Sequence, residues 1–328
     1  MRNALSALCA ALVTCSLAVP GAQAQSPADG YPNKPIRIVV PFAPGGIVDT
    51  SARVIGQELS KRWGQQVVVE NRPGGNGFIG VMAAVKAPAD GYTLLMAHTG
   101  EFGVNPAIFP DVPYQFDRDV TPITMITEAP MVVVVNSNQP MKTMQELLAA
   151  AKAKPGTVGV STPGNGSINH LVLEWMNLTT GSKFLHVPYR GGAPAITATA
   201  GGEVPAGKAA LGSAMPHIKS GRVRVLAVTT AERSFVDKSW PTLIESGVPG
   251  VSSSIWAGLF APKGVPQPII EKLYGEIAKV LQMPEVKERF AAGGGVPGGM
   301  RPEAFGAAIR KEAASLKKVA VAANVKPE

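Results

Sequence analysis

Three glycine-rich turns hold the residues of this chain best suited to chemistry. Pro44-Gly45-Gly46 stands just ahead of an amphipathic stretch containing Asp49. Gly164-Asn165-Gly166-Ser167 opens the stretch of His170 and Trp175, and Tyr189-Arg190-Gly191-Gly192 opens a third. Glycine lets backbone approach a ligand closely, and the first amides of a helix are unpaired donors carrying partial positive charge. Such turns can hold a carboxylate without a lysine or arginine. A single turn of this kind is explained equally well as a tight bend, with Asp49 or Ser167 merely capping a helix. Three of them, each following a strand-like run, point to anion binding.

The patterns that covalent chemistry requires are missing. The chain has no Gly-x-Ser-x-Gly elbow, no His-Glu-x-x-His pair and no phosphate-cradling lysine loop. His98, His170, His186 and His217 lie far apart in sequence. His170 and Glu174 share a helix face, but two ligands fall short of a metal site. Gly75-Asn76-Gly77-Phe78-Ile79-Gly80 formally fits a dinucleotide fingerprint. However, Asn71-Arg72-Pro73 intervenes after the preceding strand, and Asp90 comes too early to hold a ribose. No catalytic residue, cofactor or metal is therefore expected. Glu101 is the acid of interest, since it follows the Thr93 to Met96 strand; an acid in such a loop is more often simply solvated.

The elements that position these turns alternate. Strand-like runs at Ile36 to Val40, Gln66 to Glu70 and Thr93 to Met96 are separated by helical patterns, a rhythm that predicts a mostly parallel sheet with helices on its faces. A second unit begins at Met131 to Val135 and continues through strands at Val158 to Ser161, Phe184 to Val187 and Arg224 to Thr229. From Trp256 the first style returns, with helices at Pro268 to Leu281 and Pro302 to Ala322. A chain that leaves one α/β unit and comes back connects its lobes twice. The crossings are expected near Pro130 to Val135 and Val251 to Ala257, forming a hinge over a cleft. The organisation expected is an export signal over 1–24, a first lobe over 32–130 plus 256–328, and a second over 131–255.

Bulk properties agree with an exported binding protein. Arg2, the apolar run from Ala4 to Val19 and Ala22-Gln23-Ala24 read as a cleavable signal, with an apolar run too short to span a bilayer. Thr14 makes lipid attachment at Cys15 the weaker reading. Both cysteines, Cys9 and Cys15, fall inside that signal, so the mature chain would carry no thiol or disulfide. The net formal charge of +8 comes from scattered basic residues, not the clustered stripe of a nucleic-acid binder. A mild positive excess steers anionic solutes toward the protein, subject to screening by salt.

The motifs together resemble one family. Tyr31-Pro32-Asn33-Lys34-Pro35-Ile36-Arg37-Ile38-Val39-Val40-Pro41-Phe42-Ala43-Pro44-Gly45-Gly46, followed by Asp49, is similar to the opening of the Bug receptors. These are the extracytoplasmic solute-binding proteins of tripartite tricarboxylate transporters. The likeness continues through Val68-Val69-Glu70-Asn71-Arg72-Pro73-Gly74, Ala89-Asp90-Gly91-Tyr92-Thr93-Leu94-Leu95, His186-Val187-Pro188-Tyr189-Arg190-Gly191 and Glu245-Ser246-Gly247-Val248-Pro249. It implies an α/β Venus-flytrap fold, a periplasmic location, a small organic carboxylate ligand and membrane transporter subunits as partners. A monomer is expected. Carried over residue by residue, the ligand set comprises Ala43, Pro44, Gly45, Gly46 and Asp49 on one lobe. Thr162, Gly164, Gly166 and Ser167 face them, with Tyr189, Arg190 and Gly191 nearby, and Thr99 and Glu101 come from the loop beyond the third strand.

Two departures bear on the ligand. Where the family usually has an apolar strand ending in an aspartate, this chain reads Pro205-Ala206-Gly207-Lys208-Ala209-Ala210, with Ala209 in place of the acid. Pro205 and Gly207 should weaken that strand. Glu101 and Phe102 stand where a small hydroxyl residue and a histidine are more usual. An added acid there would disfavour a tricarboxylate and suit an amine-bearing or aromatic monoacid. A sensor subunit with the same ligand, or less readily a secreted hydrolase, are the alternatives.

Overall fold

The structure is a computed structural model that describes residues 26–327. The expected signal, its cleavage site and both cysteines lie outside the described residues.

Three strand-to-helix steps open the first lobe. Strand β1 (Ile36–Val40) leads through the Pro44-Gly45-Gly46 turn into α1 (Ile47–Trp63). Strand β2 (Val67–Asn71) passes through a single 3-10 turn (Gly75–Gly77) into α2 (Phe78–Val85). Strand β3 (Thr93–His98) runs into a wide π-helical turn (Gly100–Val104) and on into α3 (Asn105–Ile108). Both β2 and β3 lie parallel to β1. Successive side chains of β1 point to opposite faces, and both faces are buried. Ile36, Ile38 and Val40 join one core with Ile55 and Leu59 of α1, while Val39 joins another with Val81 of α2.

After α4 (Phe116–Asp119) comes the long strand β4 (Val120–Asn136), which belongs to both lobes. The second lobe then unfolds as α5 (Met144–Ala153), β5 (Gly159–Thr162), α6 (Ile168–Thr180), β6 (Leu185–Pro188), α7 (Gly192–Gly201), β7 (Ala206–Ala210), α8 (Leu211–Lys219) and β8 (Val223–Val228). The return crossing is β9 (Ser254–Pro262), followed by α9 (Gln267–Leu281), α10 (Pro284–Ala292), the two-residue β10 (Val296–Pro297) and α11 (Pro302–Ala322).

Pairing along β4 changes partner at the hinge. From Val120 to Pro130 it runs antiparallel to β9, and from Met131 onward it runs antiparallel to β7 on one edge and β8 on the other. β5 lies parallel to both β6 and β7. The βα strands of each lobe are thus parallel, and the crossing strands run against them. Alternation along β4 again fills two faces: Met131, Val133 and Val135 join the α5 and α6 side, whereas Val132 and Val134 join the α8 side.

The segment expected to be a weak strand is a well-paired one. β7 is hydrogen-bonded between β4 and β5, and Pro205 precedes it, offering its carbonyl to Asn136 N at 3.1 Å. Gly207 is there for space. A Cβ would run into the Thr199 hydroxyl and lie 2.7 Å from Ser161 Oγ, two groups that bond each other at 2.8 Å.

Candidate functional site

A cavity of about 380 Å³ lies between the lobes. The first lobe contributes Phe42, Asn76, His98, Thr99, Glu101 and Asn105; the second contributes Pro163, Gly166, Ser167, Asn169 and Ser213, with Ile255 of β9 between them. This matches the general rule that ligands of such sheets bind beyond the carboxyl ends of strands.

The second-lobe wall is the turn from β5 into α6. Gly164 and Gly166 have φ of 150° and 66°, values that favour glycine. Ser167 is the N-cap: its Oγ accepts from His170 N at 3.2 Å and donates to the Gly164 carbonyl at 2.7 Å. Gly166 N donates to His170 Nδ1 at 3.1 Å. The amides of Ile168 and Asn169 occupy the first two helical positions, where no intrahelical acceptor exists, and both residues line the cavity. Behind the turn, the His170 and His186 rings stack at 3.7 Å, and His186 Nε2 lies 2.6 Å from Thr162 Oγ1. Burial, with the nearby His186 and Lys208 charges, pushes the His170 imidazole down to about 4, so it is neutral and can accept from Gly166. The third glycine turn serves the second, because Tyr189 N and Gly191 N each donate at 2.9 Å to carbonyls of Thr162 and Pro163.

Lys208 on β7 is fully buried, and its Nζ finds only Met131 Sδ at 3.4 Å and the Asn169 carbonyl and Oδ1 at 3.3 and 3.5 Å. Burial pushes this amine well below the ordinary lysine value. Asn169 therefore has its side-chain oxygen turned toward an amine donor, which leaves its NH2 group for the cavity.

The first-lobe wall centres on His98 and Glu101. The π-helical turn buries Glu101 completely, and its Oε2 accepts from His98 N and pairs with His98 Nδ1, both at 2.8 Å. Its own carbonyl accepts from Tyr114 OH at 2.9 Å. Gly77 makes room for it, since a Cβ there would lie 2.8 Å from Glu101 Oε1. The His98 ring tilts against Phe42 with centroids 4.7 Å apart and remains one-quarter exposed toward the cavity. Burial opposes charge on His98, but the Glu101 carboxylate outweighs it and raises the imidazole above its usual value. Glu101 is thus not the solvated loop acid that its position in sequence suggests. Its carboxylate is engaged by His98 instead of standing free in the cavity.

Thr99, Glu101, Gly166 and Ser167, of the residues expected to bind ligand, line this cavity, whereas Ala43, Pro44, Gly45, Gly46, Asp49, Thr162, Gly164, Tyr189, Arg190 and Gly191 do not. Asp49 is buried and accepts from Gly45 N at 2.9 Å, Arg53 Nε at 3.0 Å and Asn71 Nδ2 at 2.9 Å. Burial works against its ionisation, but these donors outweigh it and hold the carboxyl below the usual range. It fastens the Pro44-Gly45-Gly46 turn to α1 and is not aimed at a ligand amine. Gly45 borders a separate cavity of about 250 Å³ with Ser51 and Arg289. Sequence reasoning passed over His98 and Asn169. The available signals were an acid three residues after a histidine, and an asparagine two residues after a capping serine.

Among the described residues, no cluster of three His, Cys, Asp or Glu could hold a metal ion, and no helix is long and apolar enough to cross a membrane. The fold and the shared cavity define a two-lobed α/β solute-binding receptor. Residues 51–319 match the model of the tripartite tricarboxylate transporter family receptor, and the chain belongs to that family. Its members are binding receptors, not enzymes, and the family is periplasmic. The chain is 38% identical to Protein BugT of Bordetella pertussis over 288 residues, 88% of each chain. It superposes on Rpa4515 of R. palustris, solved with adipate, with a TM-score of 0.77 and 32% identity, covering 91% of this chain and 100% of that one. MatC from Rhodopseudomonas palustris, with bound malate, matches with a TM-score of 0.71 and 31% identity over 88% of this chain and 99% of that one.

Proposed function

We propose that this receptor captures a small organic carboxylate in the periplasm and delivers it to the membrane subunits of a tripartite transporter. The observation that carries this reading is the interlobe cavity, which sets the free first-turn amides of α6 opposite His98. Donors on both lobes let one anionic ligand bridge the cleft and hold it closed, and the volume of about 380 Å³ suits a small acid. Thr99, Gly166, Ser167 and Asn169 would complete the polar lining, with Phe42 and Ile255 as apolar walls. The adipate and malate carried by similar structures support the ligand class. Export through a cleaved 1–24 signal, a monomer, and lobes spanning 32–130 with 256–328 and 131–255 belong to the same reading.

The test is a thermal-shift panel on the mature protein, unfolded and refolded to remove carried-over solute. Succinate, malate, adipate, citrate, glutamate and benzoate are screened at pH 7. A ligand that binds only the folded state raises Tm, by about 2.7 kcal/mol of stabilisation at a hundredfold excess over Kd. A shift with one or more of these acids, without turnover, is the expected result. A panel without any shift would remove the carboxylate assignment.

A further inference from the structure

We propose that His98, held by Glu101, is the cationic anchor that grips the ligand carboxylate, and that this pair makes affinity fall as the solution turns alkaline. The inference rests on the reading of the interlobe cavity as the ligand site.

His98 ends β3 and Glu101 lies in the π-helical turn that follows. Glu101 Oε2 and the Gly100 amide both meet Nδ1, at 2.8 and 3.0 Å, and orient the ring, so the second nitrogen, Nε2, is left without a hydrogen-bond partner among the described residues while the ring lines the cavity. A buried carboxylate behind an imidazole fixes both its orientation and its protonated form, and an imidazolium N–H to a carboxylate is a charge-assisted bond. Among the described residues no arginine or lysine lines this cavity, and His98 is the one basic side chain there. Phe42 tilts against the ring at 52°, with centroids 4.7 Å apart.

Few other charges face the ring. Among the described residues, Glu101 is the only other titratable group in the cavity lining. Tyr114 reaches the Glu101 carbonyl from behind, and burial pushes its hydroxyl up, out of the working range. Glu312 of α11 approaches the turn at Gly103 and is committed to Ser253 Oγ and Trp256 Nε1 at 2.8 and 2.7 Å. Asp49 is tied to Arg53 and Asn71 outside the cavity. Glu101 holds the imidazole above its usual value, so the cation persists to higher pH than in a free histidine and is lost as the pH rises further.

The experiment measures Kd by calorimetry from pH 5.5 to 9 for the wild type, Glu101→Gln and His98→Gln. The probe is the acid giving the largest shift at pH 7 in the panel of succinate, malate, adipate, citrate, glutamate and benzoate. Wild-type affinity should be strongest at the acid end of the range and weaken as pH rises. In Glu101→Gln the weakening should move to lower pH, costing about tenfold or more at pH 7.5 and recovering at pH 5.5, as expected for loss of a charge-assisted bond. His98→Gln should bind weakly with a flat profile. An unchanged profile in Glu101→Gln, or full affinity in His98→Gln, would overturn the anchor and leave the receptor standing. A wild type that binds none of the six acids would remove the carboxylate assignment and the anchor with it.

Discussion

Lys208 is a buried amine that the fold holds at the expense of stability. It sits on a central strand with no carboxylate near it, and the protein solves the problem by depressing its basicity. Between that depressed value and the ordinary lysine value, the unfolded chain holds a proton that the folded chain lacks. Stability should therefore rise with pH across the window and level off above the ordinary value. Lys208→Met, of similar length and without the amine, should stabilise the protein by about 1–3 kcal/mol at pH 7 and flatten that pH dependence. Denaturant titrations at pH 7 and pH 10 check both statements. A destabilised variant would mean that the contacts to Asn169 outweigh the cost of burying the amine. The lysine is conspicuous in sequence as a long cation inside an apolar strand, but its partners come from α6 and β4 and are invisible there.

At the level of elements, β7 and α6 carry the second-lobe wall, and each depends on small residues. Gly207 lets α7 lie close against the sheet, where Ser161 Oγ donates to the Ala195 carbonyl at 2.8 Å. Gly207→Ala should cost about 1–3 kcal/mol through overpacking, read as a lower denaturant midpoint with an unchanged slope. The same glycine looked like a strand breaker in sequence, because propensity weighs only the local chain while the neighbouring helix decides what fits. Helix boundaries were more legible. Thr143 and Glu146 form a reciprocal cap at the start of α5, and Ser167 caps α6, as their residue types suggest. The π-helical turn after β3 was not legible, since its stability comes from burying Glu101 and Phe102 beneath neighbours distant in sequence.

Across the whole molecule, the two lobes are not separate bodies joined only by strands. Helix α11 places Phe305 and Ile309 in a first-lobe core and Leu316 and Ala320 in the core of α5 and α6. Between them Glu312 bonds Ser253 and Trp256 at the return crossing. The lobes also touch across the cleft, where Ile108 meets the Gly166 turn and Gly212 of α8 meets Gly293 and Gly294 after α10. A Cβ on Gly212 would lie 2.6 Å from the Gly293 carbonyl oxygen. Gly212→Val should therefore block this closed arrangement while leaving each lobe folded. Ligand affinity should fall about tenfold or more, because the closed, binding-competent state becomes rarer. Small-angle scattering should lose any ligand-dependent compaction. Normal affinity and compaction in Gly212→Val would show that closure does not need this contact.

By itself the sequence determined the alternation of strands and helices, the two crossings near Pro130 and Ser254, the positions of the glycine turns and the family. All of these are set by local periodicity, turn chemistry and motifs contiguous in the chain. Which turn meets the cavity was decided only in three dimensions. Asp49 turned inward because Arg53, Asn71 and Gly45 supply its donors, and Glu101 paired with His98 because the π-helical turn brings its carboxylate back over β3. A residue's type states what bonds it can make, but burial and the arrival of distant partners decide which of those bonds form and which donors remain for a ligand.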